Sequence, residues 1–421
     1  MADIQLRFGK DMLVIGGSVQ AQLALVQERV DADLDGEGAI EAVVADARAE
    51  AAEATGNTGM AAVDMAAEQG ATGDAGVDGG ANAGGLERFA GVSFVDPAHP
   101  AAFDTELALI LEPEVFEDAF TLEKAAGAQC LVAPTADLTP ARLAHVGMRD
   151  AAEDLARTAL EVTAARSPEH ILVEIAPCGL PLDPASKASL LENRLQYERA
   201  ARLFDGADFD AFFLNGFTRV ADLKCALMGI RKVSDAPILA SVDVDGEGML
   251  PSLEHEVHPS LACESLEDAV SVMAEYGAQV VGFCTDGEPE VAAVLAARVA
   301  SVAYLPMLVQ LFVRPCDADE GAEAVGAGSC LRPDDAYDAA LALMEAGVQF
   351  VRAAGSATPA YTGAMAAAVA GLDVKGAVAG GSADGAHASQ ASLASSDLSL
   401  EELSVHLRQS VNGALGIGGA E

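Results

Sequence analysis

Residues 211–242 read AFFLNGFTRVADLKCALMGIRKVSDAPILASV. Positions 211–214 form a short apolar run, 219–230 returns apolar residues every three or four positions, and 237–242 is a second apolar run. A strand apolar on both faces belongs in a sheet covered on both sides, and parallel strands need a long crossover, usually a helix. The segment therefore predicts strand, helix, strand. Outward in both directions the same unit recurs. Strand-type runs stand at 12–15, 129–133, 171–176, 280–284, 307–313 and 350–352, and helical spacing at 150–165, 187–204, 266–276, 288–302 and 334–346. Eight such strands with helices between them predict an α/β fold, a (β/α)8 TIM barrel. A doubly wound open sheet is the alternative. Its first turn more often carries a glycine-rich phosphate loop, and Gly16-Gly17-Ser18 opens neither a G-x-G-x-x-G nor a G-x-x-x-x-G-K-[ST].

Composition narrows the partners. The 421 residues carry 24 Lys and Arg against 65 Asp and Glu, a formal net charge of −41. Phosphate binding needs a basic patch, so nucleic acid and anionic membrane are excluded as expected partners. Aromatic residues are 5% of the chain and Trp is absent, so the core is expected from Ala, Val, Leu and Ile. The seven cysteines are odd in number, scattered, and never in a Cys-x-x-Cys, which reads as reduced thiols rather than a disulfide framework. No run reaches the roughly 18 apolar residues of a membrane helix, and MADIQLRFGKDMLVIGGSV lacks the layout of a signal peptide. An acidic, cytoplasmic protein is expected.

Two regions depart from the alternation. Residues 31–90 form an acidic, Ala/Gly-rich insertion with too little bulk to offset the entropy of ordering, expected to be disordered. Residues 374–397 read as a flexible Gly/Ala/Ser linker to a short amphipathic helix within 398–421, opened by a capping box of Ser399 and Glu402. The barrel is then expected from 1–30, its first strand and helix, together with 91–373.

The ends of the strands carry further detail. Leu13-Val14-Ile15-Gly16-Gly17-Ser18 opens the series; Ala125-Ala126-Gly127 leads into Leu131-Val132-Ala133-Pro134-Thr135, with Arg142-Leu143 and Gly147-Met148 beyond. Pro177-Cys178-Gly179, Asp210 to Phe217 with Lys224-Cys225-Ala226-Leu227, Val281-Gly282-Phe283-Cys284-Thr285, and Glu345-Ala346-Gly347-Val348 before Thr358-Pro359 complete the set. In order and spacing this resembles the homocysteine S-methyltransferases, including the homocysteine-binding part of cobalamin-dependent methionine synthase, over residues 11–30 and 113–371.

The resemblance implies a methyltransferase of methionine biosynthesis, acting on a small-molecule methyl acceptor and meeting a corrinoid protein as partner. In that family one cysteine after strand 6 and two after strand 8 bind zinc, which turns a thiol into a thiolate able to attack an activated methyl group. Cys284 matches the first ligand; Ala353 and Ala354, or Ala354 and Gly355, stand where the other two belong. Zinc is thus carried as a candidate cofactor on Cys284 alone. The acidic residues after strands 1, 2 and 4 are replaced by Gly16, Val132 and Asn215, and two asparagines by Pro134 and Phe283. The substrate-binding candidates are Gly17, Ser18, Thr135 and Asn215.

Other features have plainer readings. His255 and His258 are three apart rather than the four of a zincin helix, and read as a loop. Asp243 and Asp245 offer oxygen to a hard cation, although acidic loops are expected throughout so anionic a chain. Arg314 and Arg352 are cations expected at the rim, where either can hold a carboxylate or phosphate or pair with the surplus acids. The alternative function is a non-catalytic barrel, a binding or scaffold subunit that docks through its C-terminal helix. An aldolase-like barrel needs a lysine at a strand end, and none is there.

Overall fold

The first strand pairs with the last: Leu13, Val14 and Ile15 lie in parallel register with Phe350, Val351 and Arg352. That pairing closes a sheet in which each strand also pairs with the next in sequence, so the order is β1 to β8 around a closed barrel. The computed structural model describes residues 3–18, 105, 109, 113–251, 264–314 and 331–372. The expected insertion, linker and C-terminal helix lie outside the described residues, as do His255, His258, Cys263, Cys316 and Cys330.

In chain order the elements are β1 (Leu13–Ile15), α1 (Pro113–Ala126), β2 (Cys130–Ala133), α2 (Pro140–His145), α3 (Ala152–Ala164), β3 (His170–Ile175) and α4 (Lys187–Arg202). There follow β4 (Ala211–Phe217), α5 (Val220–Arg231), β5 (Ile238–Val244), α6 (Leu266–Glu275), β6 (Val280–Thr285) and α7 (Pro289–Val302). The series ends with β7 (Met307–Val313), α8 (Pro333–Glu345), β8 (Phe350–Gly355) and α9 (Pro359–Val369). The (β/α)8 barrel expected from the sequence is the fold.

Local chemistry sets the element ends. Proline opens α2, α7, α8 and α9 at a first-turn position, where its missing N–H costs no helical hydrogen bond. Ser265 and Asp268 cap α6 reciprocally. At the far end of α6, Gly277 takes φ +89°, the left-handed turn that stops a helix.

Two apolar layers hold the barrel. Alternate strand residues, among them Leu13, Val132, Leu172, Phe213, Leu308 and Phe350, fill the lumen. The intervening ones pack outward with the helices: Val14, Val173, Phe212, Val281, Val309 and Val351. Near-continuous apolar strands follow from this double burial. A single helical turn, Ile4–Arg7, precedes β1, and its buried Ile4 joins Phe8, edge-on to Phe350 at 6.0 Å, on the lumen cluster.

Several strands run longer than the apolar runs suggested. β4 extends to Phe217, β5 to Val244 and β8 to Gly355. Asn215, Asp243, Ala353 and Ala354 are therefore within strands, not in the loops after them. The reason is that a polar residue ends a hydrophobic pattern without ending the backbone ladder.

One position in β6 tolerates no side chain. A Cβ at Gly282 would stand 2.4 Å from the Leu308 carbonyl oxygen and 2.7 Å from the Leu308 Cβ. Both are on the neighbouring strand, in register with Gly282. Gly282→Ala is expected to lower the stability of the barrel by about 2 kcal/mol, the cost of overpacking a rigid core, measured as a lower midpoint in urea unfolding.

Candidate active site in the barrel lumen

Four strands place their polar residues in one row. Asp243 on β5 is in register with Cys284 on β6, Cys284 with Gln310 on β7, and Gln310 with Arg352 on β8. They share the parity of Leu239, Val280, Leu308 and Phe350, which fill the lumen below, so this row faces inward one layer nearer the C-terminal mouth, where barrel enzymes carry their chemistry.

Gln310 is the hub. Its Nε2 donates to Asn215 Oδ1 and to Ser241 Oγ, both at 2.8 Å, and its Oε1 accepts from Arg352 Nη1 at 3.2 Å. The reach from β7 to Ser241 passes over β6 where Gly282 has no side chain. Asn215 in turn donates from Nδ2 to Glu174 Oε1 at 2.7 Å. Arg352 donates from Nε to the Gly16 carbonyl at 3.0 Å and lies 5.4 Å from the Phe213 ring centroid. Glu174, Asn215, Ser241, Gln310 and Arg352 are all buried. Each has a hydrogen-bond partner, as buried polar groups require.

Above this network lies a small cleft lined by Gly17, Ser18, Val132, Ala133, Pro134, Glu174 and Arg352. Its wall is braced from behind. The Gly17 N–H donates to Glu123 Oε2 at 3.1 Å, and Thr362 Oγ1 donates to the same oxygen at 2.7 Å, tying the β1 loop to α1 and α9. Thr135 is turned away from the space: its Oγ1 donates to the Glu174 carbonyl at 2.8 Å. The β3–α4 loop is gripped as well. Arg142 Nε donates to the Pro177 carbonyl at 2.8 Å, and Tyr197 Oη accepts the Cys178 N–H at 2.9 Å while donating to Asp222 at 2.7 Å. Burial holds the Asp222 carboxyl at about 6, with the Tyr197 hydrogen bond pulling the other way.

The sequence-derived candidates thus divide. Gly17 and Ser18 line the cleft; Thr135 and Asn215 act on it through Glu174. Arg352 is not at the rim, as its position after an apolar run suggested, but deep in the lumen with 3% of its surface exposed. Arg314 is at the rim, paired with Asp286. Asp245 closes its own turn, accepting from the Glu247 and Met249 N–H groups at 2.9 Å each, while Asp243 faces the lumen. Glu174 and Gln310 were missed. Their signal was present as single polar residues inside HILVEI and MLVQLFV, runs otherwise suited to complete burial.

Among the described residues, those around Cys284 do not form a three-thiolate zinc site. Ala353 packs outward with the helices and Ala354 falls on the opposite face of β8, so neighbouring side chains there point apart. Among the described residues no three His, Cys, Asp or Glu side chains converge as a metal-binding group. Burial, then the charge of Asp243, pushes the Cys284 thiol well above its ordinary range, with Arg352 opposing. Also among the described residues, no helix is long and apolar enough to cross a membrane.

No family model matches this chain, and no curated protein sequence does. Among solved structures it is similar to the metallated homocysteine methyltransferase MmuM from Escherichia coli, with 16% identity, 63% of this chain and 89% of that chain covered, and a TM-score of 0.48. It is also similar to a hyperthermophilic β-glucosidase from Pyrococcus furiosus (9% identity, 59% and 76% covered, TM-score 0.40). A third is tryptophan synthase from M. tuberculosis (15% identity, 60% and 86% covered, TM-score 0.34). Proteins of unrelated chemistry stand side by side here, so the comparison does not choose a reaction.

Burial alone raises the Asp243 carboxyl from 3.8 to about 7. A group whose folded-state value is raised binds its proton more tightly in the folded chain, so its contribution to stability falls as pH rises from about 4 to 7. The full difference corresponds to about 4 kcal/mol as an upper limit. Asp243→Asn is therefore expected to raise the melting temperature, by several degrees more at pH 8 than at pH 5, in paired thermal melts.

Proposed function

We propose that this barrel is a methyltransferase of the homocysteine S-methyltransferase type. It binds a small methyl acceptor in the lumen cleft and receives the methyl group from an activated donor, with a methylcorrinoid protein as the partner class. The observation that carries this reading is the cleft at the C-terminal mouth, where one carboxylate and one guanidinium face the same small space. Glu174 is fixed by Asn215 through one oxygen, and Arg352 by Gly16 and Gln310 through two nitrogens. Held this way, they present opposite charges without reorganising when a ligand arrives, the condition for orienting a polar acceptor. The ordered resemblance along residues 113–371 adds the reaction class.

In the transfer, a lone pair on the acceptor sulfur or nitrogen forms the new bond to the methyl carbon. The bond from that carbon to the donor breaks with its electron pair leaving on the donor, and the acceptor's S–H or N–H proton passes to bulk solvent. The residues of this chain bind and orient the acceptor and exclude water from it. No step is routed through zinc, which the described thiols around Cys284 do not fit.

Homocysteine is the first acceptor to test. Saturable binding to the full-length protein is expected in calorimetry, together with a rise in melting temperature. Glu174→Gln is expected to weaken it at least about tenfold, the scale on which a buried charged contact is lost, and Arg352→Gln to do the same. A melting temperature unmoved by millimolar homocysteine overturns the reading and leaves the barrel as a binding or scaffold subunit.

A further inference from the structure

Away from the lumen, the outer surface carries an apolar face that no described residue covers. Nine large apolar side chains are exposed among the described residues, and six of them stand on three consecutive helices. These are Val294 and Val302 on α7, Tyr304 just past it, Leu341 and Met344 on α8, and Leu372 just past α9. Helix α7 packs against α8, and α8 against α9. Exposed apolar residues scattered singly carry no meaning, whereas a group on neighbouring elements marks an interaction site. On α8, Tyr337, Leu341 and Met344 follow one another at i, i+4 and i+7, a single stripe along the helix. The Tyr337 Oη donates to the Leu372 carbonyl at 2.8 Å, which joins the exit of α9 to that stripe. The exit is itself closed off: Gly371 N–H donates to the Ala368 carbonyl at 3.0 Å, and Leu372 N–H to the Ala367 carbonyl at 2.9 Å. The chain therefore leaves α9 beside α8, inside the apolar face.

We infer that residues 398–415 of this chain dock on that face, as a helix lying along α8. Their sequence carries the matching stripe: Leu400, Leu403, Leu407 and Val411 recur every three or four positions, with Glu401, Glu402 and Arg408 off it. A helix of that length is marginal in water without a surface to pack on. At about 27 Å it runs the whole length of α8. The connection fits as well. The described residues end at Leu372, and residues 373–397 form a tether rich in Gly, Ala and Ser. A flexible chain of that length spans about 25–30 Å on average. Packed helices have axes about 8–10 Å apart, so the face is within reach and the tether holds the segment near it at an effective concentration on the order of millimolar. Charge selects this occupant over a second copy. Another copy brings a further −41 to the contact, and like net charge opposes association. Residues 398–415 bring only two acids and one arginine. The docking does not depend on what the lumen binds.

The test is hydrogen exchange, read by mass spectrometry on the full-length protein. Peptides covering 400–411 are expected to exchange at least about tenfold more slowly in the wild type than in Leu403→Asp. Peptides covering 337–345 are expected to exchange faster in Leu403→Asp too, which reads the contact from α8 without altering the barrel. The double variant Leu341→Lys/Met344→Lys, changed only at exposed positions, is expected to release 400–411 to the same degree while the strands stay protected. Dilution of the wild type is expected to change nothing. Exchange of 400–411 as fast in the wild type as in Leu403→Asp overturns the inference and leaves the segment for another protein. So does an α8 that exchanges alike in both, which is decisive even where the double variant fails to fold. Protection that persists in a folded Leu341→Lys/Met344→Lys overturns it in favour of a different surface. Protection lost on dilution overturns it in favour of a second copy.

Discussion

The Gln310 carboxamide reaches three other strands from β7, donating to Asn215 on β4 and Ser241 on β5 and accepting from Arg352 on β8. A neutral amide is suited to that position because it both donates and accepts, so it can join an acid-linked arm to a cationic arm and leave neither unpaired. On one side the chain of contacts runs through Asn215 to Glu174; on the other it runs through Arg352 to the Gly16 carbonyl at the end of β1. Polar groups at this depth are tolerable only when every member is satisfied. The closed ladder below supplies the rigidity that keeps those contacts in place, and Gly282 supplies the gap through which one of them passes.

The surface and the lumen follow opposite rules. Across the chain, acids outnumber bases enough for a net charge of −41, and among the described residues most charged side chains are not buried, where each interaction is weak. Inside, a few charges are desolvated and dominate. Arg352 stacks over Phe213 and bonds a carbonyl and an amide rather than an acid. It therefore keeps its positive field directed at the cleft instead of neutralising Glu174. Asp243 is left with the full penalty of burial.

Much of the barrel was legible because burial on both faces of every strand leaves a strong mark. Runs such as PILASV and MLVQLFV admit few other readings when helical spacing follows each. The strand ends were less legible, since a charged residue at the mouth of a barrel looks the same in sequence as one in a loop. Asn215, Asp243 and Ala353 were each placed beyond a strand for that reason, and each lies within it. Gly17 and Ser18 were reachable through the resemblance, and they line the cleft. Glu174 was not, although Asn215 donates to its carboxylate and Thr135 to its backbone carbonyl.

By itself, the sequence determined the alternation of strands and helices and the parallel sheet. These depend on residue type and spacing along the chain, which are local and additive. Closure of β1 on β8, the convergence of Glu174, Asn215, Ser241, Gln310 and Arg352 from five strands, and the isolation of Asp243 among them were decided only by the tertiary structure. The strands that meet in the barrel are separated by up to 337 positions, as in the pairing of Ile15 with Arg352. Which of two faces a polar residue occupies turns on a register of one residue, and that register exists only once the barrel has closed.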